Sequence, residues 1–198
     1  MTNNMLQAVG IAAIGAVLAI SACTISKQGS GDDKRVSIEA PGASVKVDRG
    51  MSAADSGLPV YPGAQEKRYE ENNKNRAHVD VNTPFFKVKV VAVKFTSDDA
   101  PEKILAFYRT KLSPFGAVIE CKGGGQDVEV GSGRGFDSAV KCDKVHDSAG
   151  EMTLKVGTEG NQHVVQVKPI GKGSEFALIF IHMGNGKGDE DYGGKQPS

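Results

Sequence analysis

The chain has 198 residues, with 24 Lys plus Arg and 24 Asp plus Glu, so its formal net charge is zero. Nucleic-acid binding depends mainly on neutralising phosphates, and a neutral chain without a basic block gives no reason to expect it. The absence of tryptophan and an aromatic content of 6% argue against a platform on which bases or sugars stack.

The first 22 residues carry no charged side chain, and positions 8–20 form a nearly continuous apolar run. That run is short for a bilayer span and is typical of a signal peptide. It ends just before Cys23 in a pattern that resembles the bacterial lipobox, at which residues 1–22 are removed and Cys23 is lipidated. The alternative is an uncleaved N-terminal membrane anchor. Both place the remaining chain outside the cytoplasm, and Thr24 favours the periplasmic face of the outer membrane over retention at the inner membrane.

A β-hairpin is expected after a polar tether at positions 26–33, and together they occupy residues 23–57. The hairpin covers about residues 35–48, where apolar and polar residues alternate on both sides of Pro41-Gly42. The same spacing returns at residues 78–90. Either an internal duplication or two hairpins with similar turn chemistry explains it.

The strand after the second turn changes phase at Val90-Val91, where two apolar residues are adjacent. A β-bulge would restore one continuous apolar face. A central strand buried on both faces is the alternative.

A single clear helix is predicted at residues 101–112, with Pro101 in its first turn. Asp99 and Glu102 have the spacing of a capping box. The apolar residues fall on one arc that must pack on another element, and they are Ile104, Leu105, Phe107, Tyr108 and Leu112.

Short alternating strands are predicted after the helix, and the last of them, residues 176–183, is apolar on both faces. Because one helix cannot cover both sides of a sheet, the second side is covered by the N-terminal hairpin, covered by a partner, or exposed. These elements predict an α+β fold, with an antiparallel sheet of about six to eight strands and one main helix on one face. The domain covers residues 58–183, and residues 184–198 have the composition of a disordered tail.

Two motifs resemble a pattern found in small bacterial exported lipoproteins of unknown function. Residues 58–64 read LPVYPGA, and residues 95–109 read FTSDDAPEKILAFYR. In that family a "PxYPGA" segment precedes an "FYRxxL" helix within an α+β domain. The resemblance implies the fold and brings no activity, cofactor or catalytic residue with it.

Cys121 and Cys142 each share the phase of an apolar strand, so both are expected to face the core. In an oxidising compartment this pair predicts a disulfide. A metal site is the alternative, because Asp143, His146 and Asp147 lie close to Cys142 in the sequence. His78, His163 and His182 fall on predicted strands and are expected to be packed or surface residues. Tyr61 is expected to anchor packing.

The sequence therefore predicts a cell-envelope protein that is anchored to the membrane through Cys23 and has no catalytic role or cofactor. Its expected role is to bind a protein or an envelope polymer. A structural or assembly subunit, which buries an apolar sheet face against a protein partner or another copy of the chain, is the second hypothesis. An unrecognised hydrolase is the third, and no nucleic-acid partner is expected.

Overall fold

One antiparallel sheet dominates the computed structural model, which describes residues 23–29, 35–48, 52–67, 76–123, 137–142 and 150–185. The described strands are β1 (Thr24–Gln28), β2 (Arg35–Ala40), β3 (Ala43–Asp48), β4 (Gln65–Glu66), β5 (Arg76–Asn82), β6 (Phe86–Ser97), β7 (Ile119–Lys122), β8 (Met152–Thr158), β9 (Asn161–Ile170) and β10 (Gly173–Asn185). The helix α1 covers Pro101–Leu112, and short 3-10 helices cover Ala53–Ser56 and Ser113–Phe115. None of the helices in these ranges has the length and apolarity needed to cross a membrane.

The strand order is β1-β2-β3-β5-β6-β10-β9-β8-β7, and the short strand β4 pairs with the end of β6. The longest strands, β6 and β10, pair at the centre from Phe86 opposite Asn185 to Ser97 opposite Ser174. The N-terminal strands therefore lie on one side of this central pair, and β7–β9 lie on the other.

The predicted α+β class is wrong, because the described structure is mainly a sheet of 10 strands with one short helix of 12 residues. The N-terminal hairpin was expected to precede the domain, yet β3 pairs with β5 and joins the hairpin to the main sheet. The predicted tether also begins with a strand, because residues 24–28 form β1 and pair with β2. Their polar sequence lacks the alternation that would have revealed a strand.

Both predicted N-terminal hairpins are confirmed, one formed by β2 and β3 and the other by β5 and β6. The phase change at Val90-Val91 involves no bulge, since the pairing of β6 with β10 is unbroken. Val88 and Val90 lie on one side of the sheet, and Val91 and Val93 lie on the other. The central-strand explanation is therefore correct.

Helix α1 packs on β8, β9 and β10 and covers one side of that half of the sheet. Its buried residues are Ile104, Leu105, Tyr108 and Leu112, which join a core that includes Phe95, Val165, Phe176 and Leu178. The predicted capping box is absent, because Ala100 is the N-cap and no side chain caps the helix. A lost cap costs about 1 kcal/mol, whereas burying each large apolar side chain contributes about 1.5–3 kcal/mol. Packing therefore stabilises α1.

Candidate binding surface

The N-terminal strands have one apolar side and one polar side, because side chains alternate along each strand and directly paired residues share a side. One apolar row runs through Ile25, Ile38, Val45, Val81 and Val88, and a second runs through Val36, Val47, Val79 and Val90. We call these two rows the aliphatic face. Lys27 lies on the same side at the edge of the sheet, opposite Val36.

The opposite side of the same strands is polar and charged. Arg35 pairs with Asp48 at 2.6 Å between the guanidinium Nε and the carboxylate. The residues that share this side are Arg35, Ser37, Glu39, Ser44, Lys46, Asp48, His78, Asp80, Asn82, Lys87 and Lys89. In β2, β3 and β5, each strand therefore divides apolar and polar side chains between the two sides of the sheet.

The polar side of the N-terminal strands is the same side of the sheet that α1 covers. His78 pairs with Val91, Val91 pairs with Phe180, and directly paired residues share a side. The aliphatic face is therefore on the side away from α1. The main contacts of β1, β2, β3 and β5 among the described elements are with their neighbours in the sheet. No described helix packs extensively on the aliphatic face.

Burial of this side decreases from the centre of the sheet to its edge. Ile181, in line with Val90, is only 2% exposed, whereas Ile25 on β1 is 63% exposed. The valines of the aliphatic face between them are half-buried. A continuous aliphatic surface on an outer strand set is a candidate interaction site.

Cys23 is exposed and immediately precedes β1. It lies at the end of the sheet where the β2–β3 hairpin also turns, because Thr24 pairs with Glu39 near the end of β2. The thiol is therefore accessible, and only one peptide bond separates it from the first strand.

The predicted disulfide between Cys121 and Cys142 is confirmed, with 5.5 Å between the two Cα atoms. Cys121 on β7 is buried as expected, but Cys142 is exposed and does not face the core. A residue in a disulfide cannot ligate a metal as a thiolate, which removes Cys142 from the alternative metal site. Asp143, His146 and Asp147 lie outside the described residues. Within the described ranges, no group of three or more His, Cys, Asp or Glu side chains could hold a metal ion.

His163 is a packed residue, as the sequence predicted. Its ring centroid lies 4.1 Å from that of Phe115 and 4.9 Å from that of Phe180. Nδ1 lies 3.1 Å from the carbonyl oxygen of Ser56. Burial lowers the pKa of His163 below 6.5, partly offset by this contact, and thus favours the neutral ring. Its surroundings are those of a structural side chain.

The two other strand histidines lie on the same side of the sheet. Burial lowers the pKa of His78, with a smaller opposing effect from Asp80. The ring of His182 stacks on Phe180 with 6.5 Å between centroids. These contacts are compatible with packing.

Tyr61 joins the segment before β4 to the helix, which confirms its predicted packing role. Its ring contacts Phe107 edge to face, with 5.2 Å between centroids, and its hydroxyl donates to Asp99 at 2.9 Å. Asp99 also accepts from Lys103 at 2.6 Å. The Lys103 and Tyr61 hydrogen bonds lower the pKa of Asp99, while burial and Asp99 raise that of Tyr61. The carboxylate thus fixes a loop rather than capping the helix.

No family model matches this chain. The comparisons with curated proteins and with solved structures also give no match. Sequence reasoning identified the alternation within the two hairpins but missed β1, and it did not show that the hairpins align their apolar residues in continuous rows. The spacing of the apolar residues along the sequence does not indicate which residues of one hairpin lie opposite those of the other.

Proposed function

We propose that this protein is a lipid-anchored, non-catalytic subunit of the cell envelope that assembles through its aliphatic face. The continuous pair of apolar rows across β1, β2, β3, β5 and β6 is the observation that carries the proposal. The anchor is Cys23, whose exposure and position before β1 leave it accessible to lipidation.

The aliphatic face favours a protein as its partner over an envelope polymer. Valine and isoleucine side chains offer a polymer neither hydrogen bonds nor the aromatic surfaces that sugars and bases stack on. They match instead the apolar core of a protein interface, from which charged residues are depleted. The binding of an envelope polymer therefore has less support than assembly with a protein.

A second copy of the chain is the partner that we propose. Homodimer interfaces are the more apolar class, whereas interfaces between proteins that also exist apart are about as polar as the remaining surface. Two such faces can pack as the two sheets of a sandwich, about 10 Å apart. A two-fold axis along the strands would place both Cys23 residues at the same end of the dimer, as anchoring in one membrane requires.

The size of the face predicts moderate affinity. Five strands at about 4.8 Å spacing and five residues at about 3.3 Å rise cover roughly 400 Å² in projection. That is smaller than the roughly 800 Å² of accessible surface per partner in a standard interface. Anchoring both copies in one membrane raises their effective concentration and favours the dimer without any further contact.

Substitution on each side of one strand tests the assembly. Val45→Lys places a charge in the aliphatic face, and Ser44→Lys places the same charge on the polar side of the same strand. In light scattering over a concentration series, we expect the wild-type protein and Ser44→Lys to dimerise and Val45→Lys to stay monomeric. Dimerisation of all three, or of none, contradicts assembly through this face.

Cross-linking checks the same surface without adding a charge. The chain has 3 cysteines, of which Cys121 and Cys142 form the disulfide, so a Cys23→Ser background leaves an added cysteine as the single free thiol. Ile38→Cys and Glu39→Cys put that thiol at neighbouring exposed positions on opposite sides of β2. A bis-maleimide that spans the about 10 Å between packed sheets should cross-link only Ile38→Cys. Equal cross-linking would argue against the aliphatic face.

The anchor has its own test. Mass spectrometry of the wild-type protein should find an acylated N-terminus at Cys23, and Cys23→Ser should leave the membrane fraction. An intact peptide that spans residues 22 and 23, or unchanged fractionation of Cys23→Ser, would contradict lipidation.

A further inference from the structure

An exposed aromatic turn connects β5 and β6, and we call residues 83–86 the aromatic turn. Phe85 is 82% exposed and Phe86 is 43% exposed. The hydroxyl of Thr83 accepts from the backbone N–H of Phe85 at 3.3 Å and of Phe86 at 3.0 Å. It also donates to the carbonyl of Phe86 at 2.9 Å. These bonds fix the turn, so Phe85 projects into solvent from an ordered backbone.

The aromatic turn lies at the same end of the sheet as Cys23. A single cross-strand row at this end contains Thr24, Glu39, Ser44, Asn82 and Lys87. Cys23, the Pro41-Gly42 turn and the aromatic turn all follow directly beyond that row. The two turns are neighbours, because a Cβ added to Gly42 would lie 3.5 Å from the ring of Pro84.

The separation of these features fits one flat contact. Four strand spacings of about 4.8 Å place β6 roughly 19 Å from β1 along this end of the sheet. The anchor and the exposed phenylalanines therefore lie at opposite sides of this end of the sheet, and together they would contact a membrane at two separate points.

We propose that this end of the sheet contacts the lipid bilayer and that Phe85 inserts into the interface between headgroups and acyl chains. The inference depends on the proposed anchor at Cys23, because the anchor brings this end to the membrane. The apolar face of an interfacial helix is buried about 5–10 Å deep, and binding rises with the apolar area that is buried. Exposed phenylalanines brought to the same depth would add to the binding of the anchor in the same way. A two-point contact of this kind also fixes the orientation of the sheet, with its strands rising from the membrane.

A protein partner on the aromatic turn is the competing occupant. It would need the turn to be accessible, whereas anchoring of Cys23 places the turn against the lipid surface. The position of the anchor therefore favours the bilayer.

The absence of tryptophan from the chain makes a fluorescence test direct. Phe85→Trp reports on the aromatic turn. Ile170→Trp is the matched control, because Ile170 is 40% exposed and lies at the other end of the sheet, next to the β9–β10 turn. The length of β6 puts the two positions about 40 Å apart along the strands.

Full-length lipidated variants are reconstituted into phosphatidylcholine vesicles, with and without brominated acyl chains, and checked by flotation. Insertion by about 5–10 Å should let brominated lipid remove about half of the emission of Phe85→Trp and leave Ile170→Trp unchanged. Flotation without quenching of Phe85→Trp would overturn the bilayer contact and leave the anchor standing. Equal quenching of both variants would also overturn the bilayer contact. So would a blue-shifted emission from Phe85→Trp that brominated lipid does not quench, because that result indicates a protein partner on the aromatic turn. Failure to float would contradict the anchor itself, and the bilayer contact with it.

Discussion

Tyr108 on the helix holds the backbone of Tyr61 in the segment before β4. Its hydroxyl oxygen accepts from the Tyr61 N–H at 3.1 Å and donates to the carbonyl of Pro59 at 3.1 Å. The Tyr108 side chain is fully buried, and burial raises its pKa. One hydroxyl therefore satisfies a donor and an acceptor in a segment that has no regular secondary structure.

Tyr108→Phe should lower the free energy of unfolding by about 1–3 kcal/mol, because it leaves two backbone groups without their partner. Urea denaturation measures the loss. Tyr61→Phe is the matched control and should cost less, since it removes only the hydrogen bond to Asp99, which is partly exposed and keeps its ion pair with Lys103. Equal losses from the two variants would show that the backbone bridge adds nothing.

Removal of the disulfide should destabilise the protein by about 3 kcal/mol on the chain-entropy model. The cysteines are 21 positions apart, and the comparison is Cys142→Ser against Cys23→Ser in denaturant without reductant. Cys23→Ser should unfold like the wild-type protein. In unfolded Cys23→Ser, thiol labelling should find no free thiol before reduction and both Cys121 and Cys142 after it. Labelling before reduction would contradict the pairing.

Acidification should destabilise the fold through His163. Burial holds its pKa below the ordinary 6.5, so below that pH the unfolded chain binds a proton that the folded protein excludes. Stability from this residue is complete above pH 6.5 and is lost as the pH falls towards the folded pKa. At pH 5.5, one unit below the ordinary value, the loss is at most about 1.4 kcal/mol.

His163→Gln isolates this effect from that of His78, whose pKa is lowered in both proteins. The measurement is the difference in unfolding free energy between pH 7.5 and pH 5.5. Between these two pH values the wild-type protein should lose more unfolding free energy than His163→Gln, whatever the variant's stability at pH 7.5. Parallel profiles would show that His163 is protonated equally in both states.

The same truncation on the two sides of the sheet should have different costs. Val93 is buried in the core on the helix side of the sheet, so Val93→Ala should cost about 2 kcal/mol from lost apolar burial and the cavity that remains. Val81 on the aliphatic face is half-buried, and Val81→Ala should cost less than about 1 kcal/mol in dilute protein. Similar costs in the monomer would mean that another part of the chain covers the face.

The sequence predicted those elements whose signal is local. The helix and the two hairpins follow from spacings within a few residues. The phase of a short strand also placed Cys121 in the core correctly, whereas its disulfide partner Cys142 is exposed and lies outside a strand. The capping box failed although its spacing was correct, because the Asp99 carboxylate binds Tyr61 and Lys103 instead of the helix N-terminus. A cap and a tertiary contact compete for the same oxygens, and sequence spacing does not decide between them.

The fold class failed for a different reason. Whether the N-terminal hairpin belongs to the main sheet depends on the pairing of β3 with β5, which no local pattern specifies. The strand β1 has one exposed isoleucine among polar residues, and only its partner β2 makes it a strand. The aliphatic face follows from these two pairings, so it could be described only after they were known.

The pairing of β6 with β10 also affects how the chain folds. The hairpins β2–β3 and β5–β6 pair residues that are close in sequence, and such hairpins form in about 1–10 μs. Joining β6 to β10 brings Phe86 to Asn185, residues roughly 100 positions apart, and contacts so distant in sequence form slowly. Refolding should therefore have a fast local phase and a slower one in which the two halves meet. Until the second phase is complete, β6 and β10 each expose an unpaired, largely aliphatic strand edge that can pair with another chain. The yield of refolding should therefore fall as protein concentration rises.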